Sequence, residues 1–378
     1  MAVTIKDVAK AAGVSKSTVS RVLNRVPCVR GHMRERVLKA VEELGYTPNA
    51  MARGLTTKRS KTIGLIMSDI TNPFFPEVAR GVEDLMKDYN YNVILCNTDG
   101  RSEKEAAYVK LLIEKRVDGI IFTSVRMGVT DLTALKKRGV PFVLAGRALP
   151  GFEVDLVIVD NVLGGFQATL HLLELGYRRI AHITGPPGVS AAHDRQEGYE
   201  KALKQFHINP DPAWIVEGDF TQVGGYRAMK RLLSSDRRPE AIFAANDMTA
   251  IGALEAICEE GLRVPEDIAL VGFDDIPLAR LHTIQLTTVA QPKYEIGSIA
   301  ARLLLERIDE GLEEAGISGE TEGARIKHGG AEQRRERTTQ RFKRPTQSIV
   351  LPPRLVIRRT CGSYLQGIKV GYEDSLSL

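Results

Sequence analysis

Cysteine is scarce and scattered in this chain. Cys28, Cys96, Cys258 and Cys361 form no Cys-x-x-Cys pair, which excludes a disulfide framework and a zinc ribbon. Long apolar runs are missing: stretches such as Leu156–Val159 fall far below the roughly 20 residues a membrane helix needs. The start, Met1-Ala-Val-Thr-Ile-Lys-Asp7, has no basic-then-apolar leader, so a soluble cytosolic protein is expected, with no membrane partner. Catalytic signatures are missing too. There is no Gly-x-Ser-x-Gly, no His-Glu-x-x-His and no Walker loop, and the glycine pairs at 164–165 and 224–225 stand alone. Neither an enzyme nor a cofactor or metal is expected. Aromatics are only 6% of the 378 residues, yet 43% are apolar, which is ordinary for a globular protein and excludes a wholly disordered chain. At about 100–200 residues per domain, the length allows two to three domains.

Charge is unevenly spread. The net +5 combines residues 1–62, with thirteen Lys/Arg against four acids, and a remainder carrying −4. A basic head on a mildly acidic body is the layout expected where one end meets a polyanion.

The pattern of that head is helical. Thr4 can cap a first helix, with Asp7 three residues on, and Val8, Ala9 and Ala12 share one face. Gly13 breaks the helix. Ser15 can cap a second one from Lys16 to about Asn24, with Val19, Val22 and Leu23 inward and Ser17, Ser20, Arg21 and Asn24 outward. A third runs from about Met33 to Leu44, with Val37, Leu38, Val41 and Leu44 inward and Gly45 as its stop. Two short helices joined at a glycine turn, the second presenting small polar and basic side chains, make a helix-turn-helix. Lys16 and Ser17, at the start of the second helix, would face base edges in a major groove. Arg21 would make a forked contact to guanine, and Ser15, Thr18 and Ser20 would serve phosphates. Asn49 begins a helix of only about six residues, too short to be stable alone, which would suit a segment that folds on binding.

Here the sequence resembles a known family. Thr4-Ile-Lys-Asp-Val-Ala-Lys-Ala-Ala-Gly-Val-Ser-Lys-Ser-Thr-Val-Ser-Arg-Val-Leu-Asn24 is similar to the amino-terminal signature of the lactose-repressor (LacI/GalR) family of bacterial transcription regulators. Glu35-Arg-Val-Leu-Lys-Ala, Leu44-Gly-Tyr-Thr-Pro-Asn49 and Ala52-Arg-Gly-Leu55 continue the match in order. The resemblance implies that Lys16, Ser17 and Arg21 read bases and that Leu55 wedges into the minor groove. Thr4, Asn24, Asn49 and Ala52 join the DNA-facing set. Cys28-Val-Arg-Gly-His32 departs from the family's usual polar cap before the third helix.

From Thr62 onward, apolar runs alternate with amphipathic stretches, which implies parallel sheets covered by helices. Eight strands are expected before the last helix: Thr62–Ser68, Asn92–Cys96, Gly119–Ser124, Pro141–Ala145, Leu156–Asp160, Ile180–Thr184, Ile242–Ala245 and Ile268–Gly272. One more follows at Ser348–Arg359. The fold expected is an all-α helix-turn-helix head plus an α/β body like periplasmic sugar-binding proteins, with two parallel-sheet lobes. Its divisions are 1–47 for the head and 48–60 for the hinge and linker. Residues 61–160 with 292–310 form a first lobe, and 161–291 with 346–360 a second. A charged insertion occupies 311–345 and a tail 361–378.

Ligands of such sheets sit beyond the carboxyl ends of the strands. Those ends carry Asp69, Asn72, Phe74 and Phe75, then Thr123, then Gly146 and Arg147, and later Asp219, Phe220, Asn246, Asp247, Asp274 and Asp275. Rings cover C–H surfaces, carboxylates accept paired hydroxyls and arginine donates several fixed bonds, which suits a sugar. Asp247 and Asp275 serve equally well as caps of helices or turns, Asp194 has the alternative of an ion pair with Arg195, and His182, inside a strand, reads as a buried core residue rather than a functional one. The family resemblance implies effector contacts at Arg195 in Arg-x-x-Gly-Tyr199, at Asn246 and at Asp274 in Val-Gly-Phe-Asp-Asp275. Phe220 and Gln291 fall at pocket positions. It further implies a homodimer on a near-palindromic operator, regulated by a small molecule such as a pentose. Two alternatives remain. One is a catabolite-control regulator, docking a phosphorylated carrier protein on the helix with Tyr294 and Arg302, where Glu306 sits badly for a phosphate. The other is a sugar-binding protein without a regulatory role.

Overall fold

The structure is a computed structural model, and it describes residues 3–23, 29–46, 59–125, 128–149, 151–314 and 344–366. The chain divides into a unit of residues 1–61 and a unit of residues 62–378.

In the first unit, α1 (Ile5–Ala12) starts at the expected cap. Thr4 and Asp7 close a capping box, and Gly13 ends the helix at φ 60°. Ser15 receives the Thr18 amide at 3.1 Å and so caps α2 (Lys16–Leu23). The helix α3 (Gly31–Glu43) begins two residues before the expected Met33, and Arg30 makes no side-chain cap bond. Val8, Ala9, Ala12, Val19, Val22, Val37 and Ala40 fill the core. Leu38, expected inward, is 50% exposed. Successive helical residues point about 100° apart, and the narrow stripe that faces α1 and α2 runs through Val37 and Ala40 instead.

The second unit holds two six-stranded sheets. The first has the order β11-β5-β4-β3-β1-β2, from β1 (Thr62–Met67), β2 (Asn92–Asn97), β3 (Gly119–Phe122), β4 (Phe142–Ala145), β5 (Asp155–Val159) and β11 (Ser348–Leu351). The second has the order β12-β10-β9-β8-β6-β7, from β6 (Ile180–Ile183), β7 (Ile215–Val216), β8 (Ala241–Ala244), β9 (Ala269–Asp274), β10 (Thr287–Ala290) and β12 (Arg354–Val356). Pairing is parallel except between β10 and β12. Strands β3, β4, β6 and β8 are buried along their whole length, as sheets covered on both faces require.

The single last strand expected at 348–359 is two strands, one in each sheet, so residues 346–360 do not belong to one lobe. The Pro352-Pro353 pair lies between them and cannot continue a ladder. Residues 361–366 are likewise not a loose tail. Cys361 and Ser363 are fully buried, and the Thr360 hydroxyl donates to the Leu270 carbonyl at 2.7 Å. Residues 367–378 lie outside the described residues.

The flanking helices are α4 (Phe74–Asp88), α5 (Ser102–Glu114), α6 (Val129–Lys137), α7 (Asn161–Glu174), α8 (Ser190–Gln205), α9 (Gln222–Leu233), α10 (Asp247–Glu259) and α11 (Lys293–Glu314). Three helix pairs cross at facing glycines. A Cβ on Gly165 of α7 would strike the Arg195 carbonyl of α8, and one on Gly198 of α8 would strike the Val162 carbonyl. Gly225 and Gly252 join α9 to α10 in the same way, as do Gly81 and Gly297 for α4 and α11. The close approach fixes where each helix points its first turn.

α11 extends through the first four residues of the expected insertion. Residues 315–343 lie outside the described residues. The chain re-enters at Arg344, which pairs with Glu306 at 2.5 Å, Glu310 at 3.2 Å and Asp155 at 3.1 Å. Asp155 also takes a forked bond from Arg307, at 2.6 and 3.0 Å.

Candidate functional site

The head presents one polar face. Lys16, Ser17 and Arg21 on α2 are exposed, while Thr18 and Ser20 are half-buried. The Ser15 hydroxyl lies 2.7 Å from that of Ser17 and 2.9 Å from that of Thr18, so three hydroxyls form one cluster at the start of α2. Thr4 is exposed, but its hydroxyl is engaged with Asp7 at 2.7 Å. Asn24, Asn49, Ala52 and Leu55 lie outside the described residues.

In the second unit, a cavity of about 630 Å³ opens between the two lobes, at the carboxyl ends of both sheets. Asn72, Phe74, Phe75, Arg147, Arg195, Phe220, Asn246, Asp274 and Gln291, expected from strand ends and family likeness, line it, and so do Asp69, Thr123, Gly146 and Asp219 from the same strand ends. Asp99, Pro186, Ala191 and Thr221 line it as well and were not foreseen.

Asp275 is absent from the wall, and so is Asp247. Asp247 is fully buried, and its oxygens accept from the Thr288 hydroxyl at 2.5 Å and the Ile276 amide at 2.8 Å. Burial, and then the nearby Asp274 carboxyl, push its pKa well above the usual carboxylate range. It ties α10 to the β9 turn and to β10. Its neighbour Asn246 caps α10 through Thr249 and donates to the Phe220 carbonyl at 3.0 Å, which sets that ring's loop against the cavity.

The second-lobe wall is a closed network. Arg195, only 5% exposed, donates to Asn161 at 2.9 Å and to the Ala245 carbonyl at 2.5 Å. Its guanidinium lies 3.6 Å from the centre of the Phe273 ring and 3.8 Å from the Asp274 carboxylate. Asp194 does not take up its alternative of an ion pair with Arg195; it lies 3.6 Å from His193. Gln291 donates to Asp274 at 2.6 Å. Burial raises the pKa of Asp274, and Arg195, Gln291 and Lys293 oppose that rise. Asp274 and Asp275 hold φ of 117° and 54°, a conformation side-chain-bearing residues seldom adopt. Asp275 faces away, to Arg358 at 2.6 Å and Arg280 at 2.9 Å, and despite its burial these cations lower its pKa.

The first-lobe wall is built differently. Asp69 accepts from the Thr71 amide and hydroxyl at 2.9 and 2.7 Å, and Asn72 from the Phe74 amide at 3.0 Å. These turns present the start of α4, where Phe74 and Phe75 meet edge to face at 5.2 Å. Asp219 and Thr221 repeat the Asp69–Thr71 turn opposite it in the second lobe, at 2.9 and 2.6 Å.

His182 is core, as expected: it stacks on Phe243 and Tyr199. His193, Asp194 and Glu197 could hold a metal by spacing, but Glu197 already pairs with Lys201 at 2.6 Å. This partly exposed cluster has no further feature that points to an ion.

A helix-turn-helix head joined to a body with a cleft between two parallel-sheet lobes defines a ligand-responsive DNA-binding protein. The chain belongs to the LacI family of bacterial regulatory proteins. Residues 4–49 match the profile of that family's DNA-binding region, and residues 60–344 match that of periplasmic binding proteins and the sugar-binding domain of the LacI family. It is 42% identical to a ribose operon repressor of Halalkalibacterium halodurans, over 81% of this chain and 91% of that one. It is 40% identical to catabolite control protein A of Priestia megaterium (82% and 94% covered) and to the HTH-type transcriptional repressor PurR of Aliivibrio fischeri (81% and 92%). A lac repressor dimer bound to operator and the anti-inducer ONPF superposes with a TM-score of 0.77 at 28% identity, covering 96% and 99%. The protein is thus a DNA-binding transcriptional repressor with a sugar-binding-type domain, and not an enzyme.

Proposed function

We propose that the protein binds a near-palindromic operator as a homodimer and releases or tightens that grip when a sugar, such as a pentose, occupies the cleft. The observation that carries the effector class is the cavity itself. Buried Arg195, Asp274 and Gln291 offer donors and acceptors at fixed positions, and the Phe74 and Phe220 rings offer apolar faces to the C–H side of a sugar. Likeness to a ribose operon repressor supports the same reading. On DNA, Lys16, Ser17 and Arg21 read bases, Ser15, Thr18 and Ser20 hold phosphates, and Leu55 wedges a base step while residues 49–55 fold. Two heads would match the two-fold symmetry of such an operator. The setting is the cytoplasm, where the chromosome lies. Docking of a phosphorylated carrier protein on α11 is disfavoured. Glu306 places an acid beside Arg302, and its carboxylate is already taken by Arg344.

A thermal-shift screen of pentoses, hexoses, sugar phosphates and purines tests the effector class. A sugar should raise the midpoint, because binding to the folded state alone stabilises it. A response to purines and to no sugar would overturn the reading. For the head, Arg21→Ala should weaken operator binding by about 1–3 kcal/mol and relax base choice at one position. Uniform affinity for all sequences, with no loss on the selected operator, would remove Arg21 from the base-reading set.

A further inference from the structure

Lys293 is the first residue of α11, where the chain passes from β10 of the second sheet to a helix that packs on the first. It is 3% exposed, unusual for a lysine, whose ammonium needs acceptors when taken from water. Its acceptors come from both lobes. Two are the backbone carbonyls of Asp274 and Asp275, at 2.8 and 3.0 Å, at the end of β9. The third is the Glu77 carboxylate of α4, at 3.4 Å. Two hydrogen bonds and one ion pair thus hold the ammonium.

The two carbonyls belong to the pair with positive φ, whose first member turns its carboxylate into the cavity. α4 carries Phe74 and Phe75 on the opposite wall and crosses α11 at Gly81 and Gly297. A shift of Asp274 on ligand contact therefore moves the acceptors of a buried cation that is also held by the other lobe.

We propose that Lys293 is the pin of the interlobe hinge, a positioning residue that passes the state of Asp274 to α4 and so links effector binding to operator affinity. The proposal rests on the reading of the cleft as the effector site. Glu77 lies outside the cavity wall, so the pin can be broken from its far side without touching the ligand.

The test uses the full chain, D-ribose and an operator selected in vitro from random DNA by the wild-type protein. Calorimetry gives sugar affinity, and titrations with and without saturating D-ribose give the ratio of operator affinities. Such ratios are typically 5–150-fold. Glu77→Gln should keep D-ribose affinity within about 3-fold while reducing the ratio at least 5-fold, Lys293→Met should reduce it as far, and Lys293→Arg should restore part of it. A ratio unchanged in folded Glu77→Gln and Lys293→Met overturns the pin. If Lys293→Met does not fold, Glu77→Gln, altered at a half-exposed carboxylate, decides alone. If the wild-type chain takes up no D-ribose, the pentose reading fails by itself. The pin is then read without sugar: both substitutions should shift operator affinity in one direction by about 5-fold, and the double variant should shift it no further. Unchanged or simply additive affinities overturn it.

Discussion

The two walls of the cleft hold similar side-chain types in opposite ways. In the second lobe, Arg195, Asn246, Asp274 and Gln291 are all buried and bonded to one another or to backbone carbonyls. In the first lobe, Asp69 and Arg147 are half-buried and Asp99 is exposed beside Lys104. These groups of the second lobe are closed on one another before any ligand arrives, and these groups of the first lie nearer solvent. A fixed wall selects by leaving a poor ligand's partners unsatisfied, while an adaptable wall contributes closure.

Removing the centre of the fixed wall should have the largest effect. Arg195→Met leaves Asn161, the Ala245 carbonyl and Asp274 short of a donor, and should cost about 3–5 kcal/mol of stability as well as sugar binding. Urea unfolding measures the first and calorimetry the second. A variant of wild-type stability would show that the network is no more rigid than its counterpart.

The charge state of the second-lobe core gives the next contrast. Burial pushes His182 down to about 4 from 6.5, so the folded state keeps it neutral while the unfolded state takes up a proton. Its contribution is whole above pH 6.5 and is lost as pH falls toward 4, by about 3 kcal/mol in all. His182→Phe should keep the stack on Phe243 and flatten the stability curve between those limits. Identical curves for variant and wild type would contradict a buried neutral ring.

The smallest test compares one carboxylate from each wall. Asp274→Asn should weaken sugar binding about 10–100-fold, since a buried hydrogen bond to a charged group is worth about 1.5–3 kcal/mol. Asp69→Asn, in a solvated turn, should cost about 2–5-fold. Equal losses would erase the contrast between the walls.

Strand-end logic made most of the cleft legible in the sequence, because the ends of β1, β4, β8 and β9 converge there. It could not tell which of two adjacent polar residues faces the opening. Asn246 and Asp247 differ only in how α10 is rotated, and that rotation is set by Gly225 and Gly252 at a remote crossing. Asp99, Pro186 and Thr221 come from connecting segments and Ala191 from the first turn of α8, away from the strand ends that the sequence marks. β10 was missed because it opens with Thr287 and Thr288, hydroxyl-bearing residues that the sheet buries completely. The division of 346–360 between two sheets leaves no periodic trace, since strands of four and three residues serve either sheet equally well.

The ionic knot of Asp155, Glu306, Arg307 and Arg344 has a practical consequence. It fastens the two ends of the chain around residues 315–343 to each other, at the rim of the first sheet. Closing a longer loop there costs little more than closing a short one, about 0.6 kcal/mol for each doubling. A fluorescent domain spliced between those ends would ride on the first lobe alone, and a dye on the second would report lobe motion in living cells as a change in light.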